Sequence, residues 1–291
     1  FSPYDVKRLY GVPLSMINVT ERYQELVANK GIRKKKVNAR KLMEAIGKIN
    51  GESGYPYIMN EDVVNAANPI DGYVRMANLC NEVLQVQTDS EMNEDGSYKV
   101  VGKDVSCNLG SLNVFKAFHS PNFKKTIEVA CRALTKVSDL SNIACVPSID
   151  NGNKMSHAIG LGAMNLHGFF GHHRIMYGSP ASIDFTDLFF MTVNYYSILS
   201  SCKIAQEKKE TFQGFEKSDY ANGAYFDKYI NRDMEPKTEQ VKKLFAEHGF
   251  EVPTKQMWEA LRDLVMEHGL YNQYRMAIPP TGSISYVNNS T

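Results

Sequence analysis

The sequence has 291 residues, enough for one large hydrophobic core or two ordinary domains. Its net charge is +1, with 22% charged and 43% hydrophobic residues, which is ordinary for a globular protein and excludes a strongly basic binder of nucleic acid or membrane surfaces. No run of about 18 apolar residues predicts a transmembrane helix, and no signal peptide is visible.

Five cysteines occur: Cys80, Cys107, Cys131, Cys145 and Cys202. The number is odd and no CxxC pair is present, which argues against a secreted disulfide framework and against a zinc site. We therefore expect a cytoplasmic protein with no metal ligands. Most of these thiols should be small buried side chains.

Residues 1–50 have a helical pattern. Thr20 is a candidate N-cap for a helix that stops at Gly31, and apolar residues recur at helical spacing over 38–50. A basic run, KGIRKKKVNARK over residues 30–41, joins the two helices. It has two interpretations, a phosphate-binding segment or a solvated helix face and turn, and composition favours the second.

Residues 51–115 change in character. Three short apolar segments, at residues 54–59, 78–86 and 105–114, are separated by Gly, Asn and Asp and are predicted to be buried strands. Between the last two, the sequence NEDGSYKVVGKD contains an Asp-Gly turn typical of a hairpin.

The remaining residues are mostly helical in pattern. We predict a long helix over 120–147, in which Cys131 and Cys145 are packing residues, and another over 183–208, in which the adjacent Tyr195 and Tyr196 also pack. Two amphipathic surface helices are expected, over residues 236–248 and 255–269.

The Gly-rich segment HAIGLGAMNLHGFF, residues 157–170, lacks the full dinucleotide-binding motif. Close packing of the backbone is the better interpretation of its glycines. No internal repeat or linker stands out, so we expect one domain. Because the sequence begins without Met and ends without a polar tail, we expect it to be a piece of a longer polypeptide.

One short motif carries unusual chemistry. Asn78, Cys80 and Glu82 alternate in NLCNEV, so an extended chain would place their side chains on one face. A carboxylate beside a thiol raises the pKa of the thiol, which is the opposite of what a nucleophilic cysteine needs. Cys80 is therefore either an inert buried residue or a residue whose chemistry does not require a thiolate.

Two further segments belong with this motif. Cys107, in SCNLGS, lies 27 residues after Cys80, and strands paired around the intervening turn would bring the two cysteines together. The segment PPTGSIS, residues 279–285, offers hydroxyls and free backbone N–H groups of the kind that bind phosphate. It lacks the Gly-Lys-Ser/Thr of a Walker A loop, and a simple hydroxyl-rich turn is the alternative.

Taken in order, these blocks resemble the large (α) subunit of class I ribonucleotide reductase, most closely the class Ib form. The matching blocks run along essentially the whole chain: FSPYDV, ESGYPYIM, ANPIDG, NLCNEV, VGKDVSCNLGS, VPSI, SHAIGLGAMNLHG, GFEKSDYA and PPTGSISYVNN. The resemblance implies an α/β fold that forms part of a ten-stranded barrel, with the radical cysteine on a central finger loop. Residues 1–291 would be its catalytic barrel domain, truncated at both ends.

The resemblance also implies roles for single residues. Cys80 would become a thiyl radical and take the 3′ hydrogen of a ribonucleoside diphosphate, Glu82 would be the base on the 3′ hydroxyl, and Asn78 would hold the sugar hydroxyls. Cys107 and a cysteine upstream of this chain would supply two electrons by closing to a disulfide. The substrate phosphates would be bound by the following residues: Pro280, Thr281, Gly282, Ser283, Ile284 and Ser285.

Partners follow from the same resemblance. No cofactor is expected in this chain, because the radical would come from a dimetal (Mn or Fe) β subunit. An α homodimer, nucleotide effectors (ATP and deoxynucleotides) and a thioredoxin- or glutaredoxin-like reductant are also implied. The family's relay tyrosines and C-terminal CxxC tail have no counterpart here. The alternative is an inactive or split-chain fragment that binds nucleotide or partner chains and needs complementation.

Overall fold

The computed structural model describes residues 1–290, which divide into two compact units, residues 1–59 and residues from Asn60 onward. These are units of packing, so the prediction of a single functional domain over 1–291 stays a prediction. None of the helices in the described residues combines the length and the apolar character needed to cross a bilayer.

The first unit is helical, as its pattern predicts. Its helices are α1 (Pro3–Tyr10), α2 (Tyr23–Ala28) and α3 (Ala39–Ser53), with a short 3-10 turn at Leu14–Met16. Its buried core consists of four side chains: Val6, Ile17, Leu26 and Ile32.

The predicted ends of α2 are wrong. Asn18 begins the turn that leads into this helix, because its Oδ1 accepts from the Glu21 N–H at 3.2 Å and its carbonyl accepts from the Arg22 N–H at 3.1 Å. Thr20 is therefore inside the turn and is not the N-cap. The helix ends at Ala28, before Gly31.

Part of the basic run stabilises this unit. The Arg33 guanidinium donates to the Asp5 carboxylate at 2.8 Å and holds the pKa of Asp5 at about 2. The Lys34 ammonium donates to the carbonyls of Leu26, Val27 and Asn29 at the end of α2. These contacts support the interpretation of the run as a turn and solvated face.

The second unit mixes helices with short strands. Its elements are α4 (Glu61–Ala67), β1 (Glu91–Met92), β2 (Tyr98–Val100), β3 (Leu109–Asn113), α5 (Val114–Phe118), α6 (Phe123–Leu140), α7 (Pro147–Ser156), β4 (Gly160–Met164), α8 (Leu166–His172), α9 (Pro180–Lys208), α10 (Ala224–Ile230), α11 (Glu239–His248), α12 (Lys255–His268) and α13 (Gly282–Val287), with a 3-10 turn at Phe215–Lys217. The α/β class is confirmed. The strands within residues 1–290 form two separate two-stranded sheets and no closed barrel.

Two of the three predicted buried strands are wrong. Gly54 caps α3 in the left-handed region (φ 77°), and the residues after it form an exposed loop. Residues 78–86 begin with a turn, because Asn81 is also left-handed (φ 62°) and reverses the chain. In the third segment only β3 is a strand. The predicted hairpin is confirmed as the antiparallel pair β1–β2.

The parallel pair β3–β4 is the centre of the second unit. Leu109 pairs with Gly160, and the register continues to the pair Asn113 and Met164. Residues 274–277 run along the other edge of β4, where the Leu161 N–H donates to the Arg275 carbonyl at 2.8 Å. Three extended segments therefore lie side by side, with β4 in the middle.

The glycines of β4 permit this close approach. A Cβ at Gly160 would lie 2.5 Å from the Leu109 side chain, and a Cβ at Gly162 would lie 2.3 Å from the Ala277 carbonyl oxygen. Both distances are far below van der Waals contact. This confirms the interpretation of the Gly-rich segment as close backbone packing.

Helices cover this centre and bury most of the core. The long helix α9 carries Tyr195, whose ring packs edge-on against Trp258 with centroids 5.0 Å apart, so its predicted packing role is confirmed. Cys131 is buried, as predicted, and so is Cys202, but the other three cysteines are exposed, so the expectation that most of the thiols are buried is wrong. Cys145 is exposed, contrary to the prediction, because α6 ends at Leu140 before reaching it.

We predict that Gly162→Ala destabilises the protein by about 1–3 kcal/mol, because the new methyl group must displace the Ala277 backbone. The free energy of unfolding from denaturant titration measures this. The matched control is Gly171→Ala in α8, where nothing lies within 4 Å of the added Cβ and stability should hold or rise. Equal stability of Gly162→Ala and wild type would contradict the role given to this contact.

Candidate active site

The NLCNEV motif is a tight turn. The Asn81 N–H donates to the Asn78 carbonyl at 3.0 Å, and the Val83 N–H donates to the Asn78 side-chain oxygen at 3.0 Å. Asn78 thus closes the turn with both its backbone and its amide. Cys80 lies at the corner and is exposed, so the interpretation of this thiol as an inert buried residue is wrong.

Cys107 lies next to this turn, just before β3. The Asn78 amide nitrogen is 3.9 Å from the Cys107 Sγ, within hydrogen-bonding range for sulfur. The two predicted cysteine segments are therefore in contact. The contact does not come from strand pairing of the two segments, because the turn at Asn78 replaces the expected strand.

The surroundings of Cys107 raise the pKa of its thiol. Partial desolvation raises its pKa, and the nearby Glu82 carboxylate and Cys80 raise it further. The hydrogen bond from Asn78 acts in the opposite direction and is outweighed. All four predicted residues, Asn78, Cys80, Glu82 and Cys107, thus interact in one site.

Glu82 is the most unusual member of the site. Its Oε2 atom is buried and has no hydrogen-bond partner in the part of the chain that the structure describes. A buried acceptor without a partner costs on the order of 1–3 kcal/mol. Unused acceptor capacity of this kind is available to a hydroxyl group of a ligand.

Glu82 lines a small cavity next to Cys107. Its volume is about 20 Å³, about what one water needs, and its walls include Cys107, Gly160 and Tyr274. The space is the size of a single hydroxyl or water, so the rest of a larger ligand would lie on the outer side, where Cys80 and Cys107 are exposed.

The predicted phosphate segment begins helix α13. The Ser285 N–H donates to the Thr281 carbonyl at 2.9 Å, so this N–H is used within the helix and is unavailable to a ligand, contrary to expectation. The N–H groups of residues 282–284 are in the first helical turn and have no backbone acceptor within residues 1–290. Pro280 precedes them and is exposed.

This segment lies at the carboxyl edge of the parallel strands. Asn288, at the end of α13, accepts hydrogen bonds from Asn113, the last residue of β3, at 3.2 Å and from Lys116 in α5 at 3.0 Å. Cys107 lies before the opposite end of the same strand. None of residues 280–285 lines the cavity at Glu82, so the structure does not bring the phosphate segment and the thiols into one pocket.

Sequence reasoning missed two supports of the site. The Tyr274 hydroxyl accepts from the Val86 N–H at 3.2 Å and so holds the segment that follows the turn. The buried Asn108, next to Cys107, donates to Asn153 Oδ1 at 3.0 Å and to the Ala158 carbonyl at 3.1 Å. Both contacts span long sequence separations, and no local pattern signals them.

The electrostatic description predicts opposite effects of two substitutions. Glu82→Gln should lower the pKa of Cys107 and so speed the alkylation of Cys107 by iodoacetamide near neutral pH. Asn78→Ala should raise the pKa of Cys107 and slow this alkylation. A change of about one pKa unit alters the thiolate fraction about tenfold. Mass spectrometry of the Cys107 peptide measures the rates against pH.

The exposed Cys145 in the same sample is the internal control, because its rate should not change. Two shifts in the same direction, or no shift in Glu82→Gln, would contradict the proximity of the carboxylate and the thiol.

Comparison with known proteins places the chain in a family. A family model described as the barrel domain of ribonucleotide reductase matches residues 1–291. The chain is 48% identical over 295 residues to the alpha subunit of ribonucleoside-diphosphate reductase from Mycoplasma pneumoniae, and 44% identical over 293 residues to that from Bacillus subtilis. A more distant relative is the alpha subunit from Chlamydia pneumoniae, at 31% identity over 298 residues.

These matches cover all or nearly all of this chain but much less of the relatives. The matches to the Mycoplasma and Bacillus proteins cover 100% of this chain, but only 41% and 42% of those proteins. The match to the Chlamydia protein covers 99% of this chain and 26% of that protein. The chain thus spans less than half the length of these curated relatives. The family resemblance seen in the motifs is confirmed, and the chain belongs to the ribonucleotide reductase barrel-domain family.

Proposed function

We propose that this chain is the catalytic part of a ribonucleotide reductase alpha subunit, which reduces ribonucleoside diphosphates to 2′-deoxyribonucleoside diphosphates for DNA synthesis. The observation that carries the proposal is the buried, unpartnered Glu82 oxygen beside two exposed thiols. The names of the relatives support the reaction, since the Mycoplasma and Bacillus proteins are both ribonucleoside-diphosphate reductase alpha subunits.

The first step would be hydrogen-atom transfer. A Cys80 thiyl radical takes the 3′ hydrogen of the ribose, which restores the S–H bond and leaves a carbon radical. Glu82 accepts the proton of the 3′ hydroxyl, and its free oxygen supports this role. A thiyl radical forms by loss of a hydrogen atom, so a carboxylate near Cys80 is no obstacle.

The second step would be loss of the 2′ hydroxyl as water and reduction of the sugar. Two thiols supply two electrons and two hydrogens as they close to a disulfide, and Cys80 then returns a hydrogen atom to C3′, which removes the carbon radical and restores the thiyl radical. Cys107 would be one of them, and its raised pKa supports this, because a protonated thiol carries the hydrogen it must deliver. Its partner would be a cysteine upstream of this chain.

The substrate's diphosphate would bind at the start of α13. The free N–H groups of residues 282–284 and the hydroxyls of Thr281 and Ser283 would hold it, with Pro280 setting the turn. Ser285 would contribute at most its hydroxyl, because its N–H is bonded to Thr281. This part of the proposal is independent of the thiol chemistry.

The complete protein would supply the rest of the assembly. Other segments would complete the ten-stranded barrel, with the Asn78–Val83 turn as its central finger loop. A β subunit with a dimanganese or diiron centre would deliver the radical, as in class Ib enzymes. We also propose an α homodimer regulated by nucleotide effectors, a cytoplasmic location and reduction by a thioredoxin- or glutaredoxin-like protein.

A second candidate is an inactive or split-chain fragment that binds nucleotide or partner chains and turns over only when complemented. The coverage of 41–42% of the Mycoplasma and Bacillus relatives favours it for the chain in isolation. Nucleotide reduction by this chain alone, with the β subunit, would rule it out.

Cys80→Ser tests the radical assignment in the complete α and β assembly. We predict that formation of deoxynucleotide falls to background while binding of the nucleoside diphosphate stays within about twofold of wild type, because Cys80 is exposed and its replacement disturbs no packing. The matched control is Cys145→Ser, an exposed cysteine outside the site, which should keep full activity. Reduction by Cys80→Ser would contradict the assignment.

Cys107→Ser separates the reducing step from the radical step. We predict that multiple turnovers with a dithiol reductant are lost, since one member of the disulfide-forming pair is missing. The measurement is the amount of deoxynucleotide formed per enzyme, first by rapid quench and then over minutes. It distinguishes a single turnover from repeated turnovers. Continued cycling at the wild-type rate would exclude Cys107 from the pair.

A further inference from the structure

Three histidines from distant parts of the second unit meet at one point. His119 follows α5, His173 follows α8, and His248 is the last residue of α11. One ring nitrogen from each lies within 4.8 Å of the other two. None of them lines the cavity at Glu82, so this cluster is distinct from the candidate active site.

The ring of His119 is held in one orientation. Its Nδ1 lies 2.8 Å from the Phe115 carbonyl oxygen, which can only accept, so Nδ1 carries the proton. In the neutral ring, the lone pair is therefore on Nε2. Histidines that bind metals are commonly fixed in this way, by a backbone carbonyl on the other ring nitrogen.

His173 has a polar atom with no partner. Its Nε2 is buried and makes no hydrogen bond within residues 1–290. A buried ring nitrogen without a hydrogen-bond partner is available to a metal ion.

The surroundings favour a cation. Each histidine is at the carboxyl end of a helix, where free carbonyls carry partial negative charge. The Glu247 carboxylate is close enough to interact with His173.

Aromatic packing is the simpler explanation and accounts for only part of the arrangement. The rings of His119 and His173 stack with centroids 5.3 Å apart, and Phe118 packs on both. Packing does not require three ring nitrogens to converge. It also leaves the buried His173 nitrogen unsatisfied, at a cost in folding free energy.

We propose that His119, His173 and His248 bind a divalent transition-metal ion of the zinc class. Three histidines with one open position are an established zinc geometry, and bonds of about 2.0–2.1 Å would place the nitrogens roughly 3.3 Å apart. Closure from 4.8 Å to this distance requires the His173 and His248 rings to rotate towards His119, which breaks the stacking of His173 on His119. The ion would tie together the ends of α5, α8 and α11, contrary to the expectation that the chain holds no metal.

The test is metal binding by the complete polypeptide that carries this chain, first stripped with a chelator. Titration calorimetry with zinc chloride should show a site that His248→Ala weakens on the order of 100-fold, since even outer-shell partners are worth 10–100-fold. The matched control is His167→Ala, an exposed histidine on α8 outside the cluster, which should bind zinc as wild type does. Equal zinc affinity of His248→Ala and wild type would overturn the proposal.

A second measurement guards against a folding defect in the variant. Without metal, His248→Ala and wild type should melt at similar temperatures, because His248 is exposed. Zinc should raise the melting temperature of wild type and of His167→Ala, and should leave that of His248→Ala unchanged. A zinc-induced rise of the same size in all three proteins would also overturn the proposal. Neither readout depends on nucleotide reduction.

Discussion

The parallel pairing of β3 with β4 is the constraint on which the candidate active site depends. It fixes where β3 begins and therefore where Cys107 is presented. It also places residues 274–277 on the far edge of β4, which the glycines of β4 allow by leaving room for the backbone. Tyr274 on that edge then holds the segment that follows the Asn78 turn. The Asn78–Val83 turn is thus held from both sides of β4, through Cys107 before β3 and through Tyr274 on the other edge.

The electrostatics of the site disfavour nucleophilic chemistry, which is consistent with the proposed hydrogen-atom chemistry. Partial burial and the Glu82 carboxylate raise the pKa of Cys107 and would hinder any reaction that needs a thiolate. The same carboxylate has a buried oxygen without a partner, which costs stability in the free protein. Such costs are typical of positions kept for a ligand, and a ribose hydroxyl would satisfy this oxygen.

Local patterns predicted much of the helical part of the fold. The helices α9, α11 and α12 were expected from apolar periodicity within a few residues of their observed bounds, whereas α6 ends at Leu140, well before its predicted end at residue 147. The Asp-Gly turn correctly predicted the β1–β2 hairpin. The motifs also predicted which residues meet at the site. Asn78, Cys80, Glu82 and Cys107 do interact.

Local patterns failed where single backbone conformations or distant contacts decide the structure. A left-handed Asn81 converts a strand-like segment into a turn, and nothing in its apolar composition signals this. The supports from Tyr274 and Asn108, and the meeting of three histidines, depend on residues far apart in sequence. These features follow from the tertiary fold and could not be read from spacing.

The central claim is that the Asn78–Val83 turn presents Cys80 to the ribose while Glu82 accepts from its 3′ hydroxyl. A crystal structure of the complete alpha subunit with a ribonucleoside diphosphate tests this most directly. The account predicts that C3′ lies nearest to the Cys80 sulfur, with the 3′ hydroxyl within hydrogen-bond distance of Glu82. A ribose bound away from the turn, with the Glu82 oxygen still unpartnered, would contradict it.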